Sequence, residues 1–127
     1  MYSNENKGSF DPDEKLEKWL ESLFLDPNTS LLDQTQFRID LYDSETEIMI
    51  EALLPNYTSS HITVYIDVSQ VIIKACKTPN HTRERTVEFP FTIYSQMVSG
   101  SFCNDILEIS ISKKHMVQPK TRFITLT

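Results

Sequence analysis

Two-residue alternation of apolar and polar side chains, broken at a proline and at an Asn-Asp pair, runs through residues 84–113 and leaves little choice of fold. Val87 and Phe89 alternate with Thr86 and Glu88 up to Pro90. Val98, Gly100 and Phe102 form a second set, and Ile106 to Ile111 a third, beyond Asn104-Asp105. Successive side chains of an extended chain point to opposite faces, so this period marks half-buried strands. Asn and Asp both tolerate positive φ, which a two-residue hairpin turn needs. Pro90 has no N–H to give to a ladder and ends its strand. The same period recurs upstream. Phe37, Ile39 and Leu41 form one set; Ile48, Ile50, Ala52 and Leu54 the next, closing at Pro55; then come Ile62, Val64, Ile66 and Val71, Ile73, Ala75. Many short strands at close spacing predict an all-β chain, an immunoglobulin-like antiparallel β-sandwich.

Ahead of the strands the period changes. Leu16, Trp19, Leu20, Leu23 and Phe24 recur at i, i+3, i+4, i+7 and i+8, one apolar face of an amphipathic helix over about residues 12–25. Asp11 is placed to cap it, Pro12 suits its first position, and Glu14 closes a capping box. Asp26-Pro27 stops it. Burying a Leu, Trp or Phe stabilises by about 1.5–3 kcal/mol, so this face docks on its own domain or on a sister subunit. Asn28 to Gln36 reads as a linker. The expected organisation is an arm over 1–36, a sandwich over 37–113 and an extended tail over 114–127.

The chain has 127 residues, enough for one domain with a modest core. Its net charge of −6 argues against nucleic acid as a partner, since phosphate binding needs a basic surface. The charge is divided: residues 1–71 carry −10 and residues 72–127 carry +4. Such complementarity either steers association or only solvates the surface. No apolar run approaches the ~20 residues that span a bilayer. MYSNENKGSF lacks the basic-then-apolar pattern of a secretory leader, which predicts a cytoplasmic chain.

The parts of an enzyme are not assembled. Glycine occurs only at Gly8 and Gly100, so there is no glycine-rich phosphate loop. His61, His81 and His115 have no ligand-spaced companions, and no serine sits in a G-x-S-x-G setting. Cys76 and Cys103 lack metal-ligand spacing and read as reduced thiols. No catalytic residue, metal or cofactor is expected.

Arg85-Thr86-Val87-Glu88-Phe89-Pro90, followed in register by Gly100, Asn104, Ile106, Leu107, Ile109, Ile111 and Lys113, resembles the second half of the alpha-crystallin domain of the small heat-shock proteins. IDLYDSETEIMIEALLP resembles that family's opening strands, so the resemblance covers residues 37–113. Arg85, Pro90, Gly100, Asp105 and Leu107 are its motif positions, with two departures: Gly100 stands where alanine is usual, and Asp105 where a turn glycine is usual. Many members insert a long excursion, carrying a strand swapped into a partner's sheet, between the strands flanking Thr78–Glu84. Seven residues here cannot hold a loop, a strand and a return, which predicts a homo-oligomer without a swapped-strand dimer. The short loop and the leader EKWLESLFLDP resemble spore-coat members from spore-forming bacteria.

The family's tail carries an isoleucine-x-isoleucine or isoleucine-x-valine pair, and Ile124-Thr125-Leu126 resembles it with leucine second. Residues two apart on an extended strand point the same way, so both can enter one groove. The resemblance puts that groove on a neighbouring subunit, near Ile62, Val64, Met97 and Ser99; alternatively the tail packs on its own sandwich. It implies an ATP-independent holdase that grips partly unfolded proteins through apolar grooves, with the helix face Leu16 to Phe24 sharing the work. The alternatives are a structural spore-coat protein on the same scaffold, and a co-chaperone-type binding module, which would lack the tail pair.

Overall fold

A computed structural model describes residues 12–127, with the side chains of residues 12–14, 24, 25 and 30 outside that description. Two helices, α1 (Pro12–Leu25) and α2 (Pro27–Thr35), precede eight strands. These are β1 (Ile39–Asp43), β2 (Glu47–Leu53), β3 (Ile62–Asp67), β4 (Gln70–Cys76), β5 (Thr82–Glu88), β6 (Gln96–Cys103), β7 (Ile106–Met116) and β8 (Arg122–Phe123). One sheet runs β1-β2-β7-β6 and the other β5-β4-β3-β8. The pairings within both sheets are antiparallel. The expected two-sheet sandwich is therefore the architecture.

The alternation seen in the sequence becomes the inner face. Ile48, Ile50, Ala52 and Leu54 meet Ile62, Val64, Ile66, Val71, Ile73 and Ala75 across the sandwich, all buried, with Leu107, Ile109 and Ile111 filling the centre of the first sheet. Asn104 (φ 53°) and Asp105 (φ 67°) make the β6–β7 turn in the left-handed region. Aspartate thus does what glycine would do there, since a short polar side chain tolerates αL. β7 continues to Met116, past the position where the sandwich was expected to give way to the tail.

The segment read as a linker, Asn28–Gln36, is instead mostly helix. Asp26 ends α1 and caps α2: its carboxylate accepts from Asn28 N at 2.9 Å, and Pro27 takes the first helical turn. A dipeptide that stops one helix is also a good start for another, because proline needs no N–H bond in the first turn. The Asp11 cap and the Glu14 side chain of the expected capping box lie outside the described residues.

α1 packs its apolar face on its own sandwich. Leu16 is buried, and Trp19 and Leu20 pack against the core. The Trp19 ring lies 5.0 Å from that of Phe89, which lies 5.6 Å from Phe91. Leu23 is half-buried, and the Phe24 side chain lies outside the described residues.

Candidate functional site

A two-sheet sandwich has two lateral seams, where the edge strands of one sheet face those of the other. Unpaired edges are places where other chains can add. Here segments of the same chain close both seams.

The first seam lies between β1 and β5. Arg85, on β5, is buried with 7% of its surface exposed. Its guanidinium donates to Asp33 Oδ1 of α2 at 2.7 Å and to the Phe37 carbonyl at 2.8 Å. Arg83 donates to the Thr35 carbonyl, and Glu84 N donates to Gln36 Oε1 at 3.1 Å. The C-terminal end of α2 thus fastens the arm along the β5 edge. Arginine suits such a site because a single guanidinium nitrogen, here Nη1, has two N–H groups to give, one to a carboxylate and one to a carbonyl.

The second seam lies between β3 and β6, and the tail fills it. Phe123 and Arg122 pair antiparallel with Tyr65 and Ile66 of β3, and Ile124 N donates to the Val64 carbonyl at 2.9 Å. Two residues later the tail pairs with the other sheet. Leu126 bridges Gly100 of β6 in parallel, and Thr127 N donates to the Gly100 carbonyl at 3.1 Å. Ile124 and Leu126 are half-buried and pack against the core, whereas Phe123 points outward onto Tyr65, ring centroids 4.8 Å apart. Arg122 anchors this strand, its guanidinium donating to the carbonyls of Tyr94, Lys120 and Gln96 at 2.8, 2.9 and 2.8 Å. The tail of the described chain therefore lies in its own groove.

The groove residues named from the sequence are split. Ile62 and Val64 lie on the inner face of β3, at the seam. Met97 and Ser99 do not: both sit on the outer face of β6, with Met97 half exposed, and they line a shallow hollow with Thr46, Glu47 and Ser110. The β6 wall of the seam is Val98, Gly100 and Phe102. The correction is one residue, and in a strand one residue exchanges the faces. A register shift between Gln96 and Val98 marks where β6 departs from regular pairing with β7.

Of the remaining motif positions, Leu107 is fully buried and Pro90 lies exposed just beyond β5. Arg122 and Asp33 escaped the sequence reading. An arginine that bonds carbonyls has no sequence signature, and Asp33 acts only because a helix carries it to Arg85.

Arg122→Ala removes the anchor without touching Ile124 or Leu126. Local opening of the tail should become easier by about 1–2 kcal/mol, since bonds to a charged donor are worth ~1.5–3 kcal/mol each and water replaces part of them. Amide exchange at Ile124 and Thr127 should accelerate by the corresponding factor, while Ile50 and Ile109 keep their rates. Unchanged tail rates would mean that Arg122 does not anchor the tail.

His61 and Cys76 have structural duties. His61 Nδ1 accepts from Thr58 N at 3.2 Å within the 3-10 turn Ser59–His61, and Cys76 Sγ accepts from the Thr82 hydroxyl at 3.2 Å. Among the described residues no three His, Cys, Asp or Glu side chains gather as a metal site. No helix among them is long and apolar enough to cross a membrane. The phenol of Tyr42 titrates above its ordinary value, chiefly through the Glu51 carboxylate beside it. It stands on β1, at the opposite edge of its sheet from the tail seam.

No family model matches the sequence. Spore coat protein M of Bacillus subtilis (strain 168) is 27% identical over 101 residues, 80% of this chain and 75% of that protein. Among solved structures, heat shock protein 16.0 from Schizosaccharomyces pombe superposes with a TM-score of 0.52 at 18% identity, covering 70% of this chain and 96% of that one. A mutant of hsp14.1 from Sulfolobus solfatataricus P2 gives 0.56 at 15% identity, covering 81% and 99%. A small heat-shock protein from Xylella fastidiosa gives 0.50 at 19%, covering 65% and 90%. The fold is thus that of the small heat-shock proteins, as the strand motifs implied, and none of these neighbours is named as an enzyme.

Proposed function

We propose that this chain is an ATP-independent holdase that assembles with copies of itself and grips partly unfolded proteins along its lateral seams. The observation that carries the reading is the tail seam. It is a ready groove between two sheets that takes an extended strand through backbone bonds on both sides and apolar side chains between them. An unfolded protein offers the same two things, a free backbone and bare apolar side chains. No bond is made or broken, and no cofactor enters.

In this reading the chain's own segments hold the seams until something displaces them. Ile124 and Leu126 leave their own groove for a neighbour's, which joins subunits; the helix face of Leu16, Trp19, Leu20, Leu23 and Phe24 lifts to offer a second apolar surface. The β4–β5 connection, residues 77–81, is a closed hairpin with Lys77 N donating to the His81 carbonyl at 3.3 Å. It supports assembly without a swapped strand. The partners are then unfolded proteins and further copies, in the cytoplasm.

Likeness to a spore coat protein favours a second reading: the same seam polymerises the chain as a structural part of a coat. One pair of measurements separates the two. Mass in solution at two concentrations is compared for the full chain and for a chain lacking residues 123–127. Tail-mediated assembly predicts that the larger species shrink on deletion, and unchanged masses would reject it. Suppression of aggregation of a heat-labile client at equimolar subunits supports the holdase. Absent suppression, with insoluble polymer forming, supports the coat role.

A further inference from the structure

Gly100 stands where Leu126 crosses β6, and its missing side chain is what gives the leucine room. A Cβ placed on residue 100 would lie 2.8 Å from Leu126 Cδ2 and 3.4 Å from Ile124 Cγ2. Carbon atoms rest at about 3.5–4.0 Å, so Leu126 would have to turn its Cδ2 methyl out of the notch to accept a Cβ there. Nor is glycine there for its backbone freedom: residue 100 has no positive φ, and any L residue adopts its strand conformation. Space is the remaining reason.

We propose that Gly100 and Leu126 are a size-matched pair that sets which C-terminal strand the seam accepts. Leucine branches at Cγ and sends a methyl into the notch over Gly100. A β-branched residue at the same point ends one carbon sooner, leaving a void whose walls lose their contacts. A seam with a methyl at position 100 has the opposite preference, making leucine turn aside and fitting valine as it stands. The accepted partner is a second copy of this chain, which carries Ile124-x-Leu126 in its tail. Tails with a β-branched residue at the position over Gly100 are disfavoured, so a cell holding several proteins of this fold keeps their subunits apart. The consequence for partner choice rests on the assembly proposed above; the size match itself does not.

The test uses the full-length chain in four forms: wild type, G100A, L126V and G100A/L126V. Amide exchange is followed at Ile124 and Thr127, with Ile50 and Ile109 as core references. G100A should speed exchange of the tail amides about tenfold, the cost of a modest overpacking. L126V should speed it about fourfold, the worth of roughly one buried methylene. The double variant should exchange no faster than L126V alone, because the two size changes compensate. Rates in the double variant equal to the product of the single effects would overturn the pairing, as would a G100A tail with wild-type rates. Should G100A disturb the core amides as well, the notch is read with glycine in place: Leu126→Met, unbranched and long, should stay within about twofold of wild type while L126V does not. Equal rates for the two would overturn it. Failure of tail-mediated assembly would leave these rates unchanged, because they report the chain's own tail.

Discussion

Leu16→Ala is expected to lower the free energy of unfolding by about 3 kcal/mol, within the range for a buried leucine whose cavity closes only in part. Leu16 is 1% exposed and touches a cleft of about 480 Å³ that also borders Ile48, Phe91 and Ile111. Its loss opens the core from the arm side. The protein supplies its own reporter, because Trp19 is the sole tryptophan and lies on Phe89. In the variant, denaturant should redden Trp19 emission before far-ultraviolet circular dichroism falls. In the wild type the two transitions should coincide, as they do when arm and sandwich melt together. Glu17→Ala, an exposed change one residue away, should cost under about 0.5 kcal/mol. A Leu16→Ala cost equally small would show that the helix does not dock where the structure puts it.

The second large effect is electrostatic. Asp33→Ala leaves the Arg85 guanidinium buried with the Phe37 carbonyl but without its counter-charge. Removing one partner of a fully buried pair costs about 3–5 kcal/mol. The Asp33 side chain keeps 31% of its surface in water, so about 2 kcal/mol is expected here. Lys74→Ala, which breaks the exposed Lys74–Glu84 pair, should cost no more than about 0.5 kcal/mol. Urea denaturation of the two variants at low and high salt makes the comparison. The Asp33 effect should persist in salt, since a half-buried pair is poorly screened. Asp33→Ala also weakens the hold of the arm on β5, leaving the Arg83, Glu84 and Phe37 ties, and makes that edge strand easier to bare. Mass in solution should therefore rise with concentration more steeply than in the wild type. Equal costs for the two substitutions would mean that the Arg85 pair is an ordinary surface contact.

The strands were legible because burial on one face writes itself into a sequence as alternation. The alternating sets now line the interior, and even the Asn104-Asp105 turn could be read from the conformational tolerance of those two residues. Helix α2 was not legible. Its sequence, PNTSLLDQT, places two adjacent leucines among polar residues, and Leu31 and Leu32 are both exposed, so no apolar stripe exists to be seen. It holds through its cap and through the ties of Thr35, Gln36 and Asp33 to β5, none of which leaves a periodic trace. The tail seam was half legible. Ile124 and Leu126 stand out as an alternating pair, but the wall that receives them was misplaced by one residue on β6. The alternation of Val98, Gly100 and Phe102 marks the inner face correctly, whereas Met97 and Ser99, which the resemblance implies, fall on the face between them.

One property of the tail seam bears on what can enter it. The tail runs antiparallel to β3 and parallel to β6, so its amides and carbonyls must fit two different bonding rhythms at once. A guest threaded with its termini reversed would meet those rhythms the wrong way round, and its leucine would miss the hollow at Gly100. The cleft is thus a one-way slot, sensitive to a peptide's heading as well as to its greasiness. A retro-sequence peptide of identical composition should compete for it poorly.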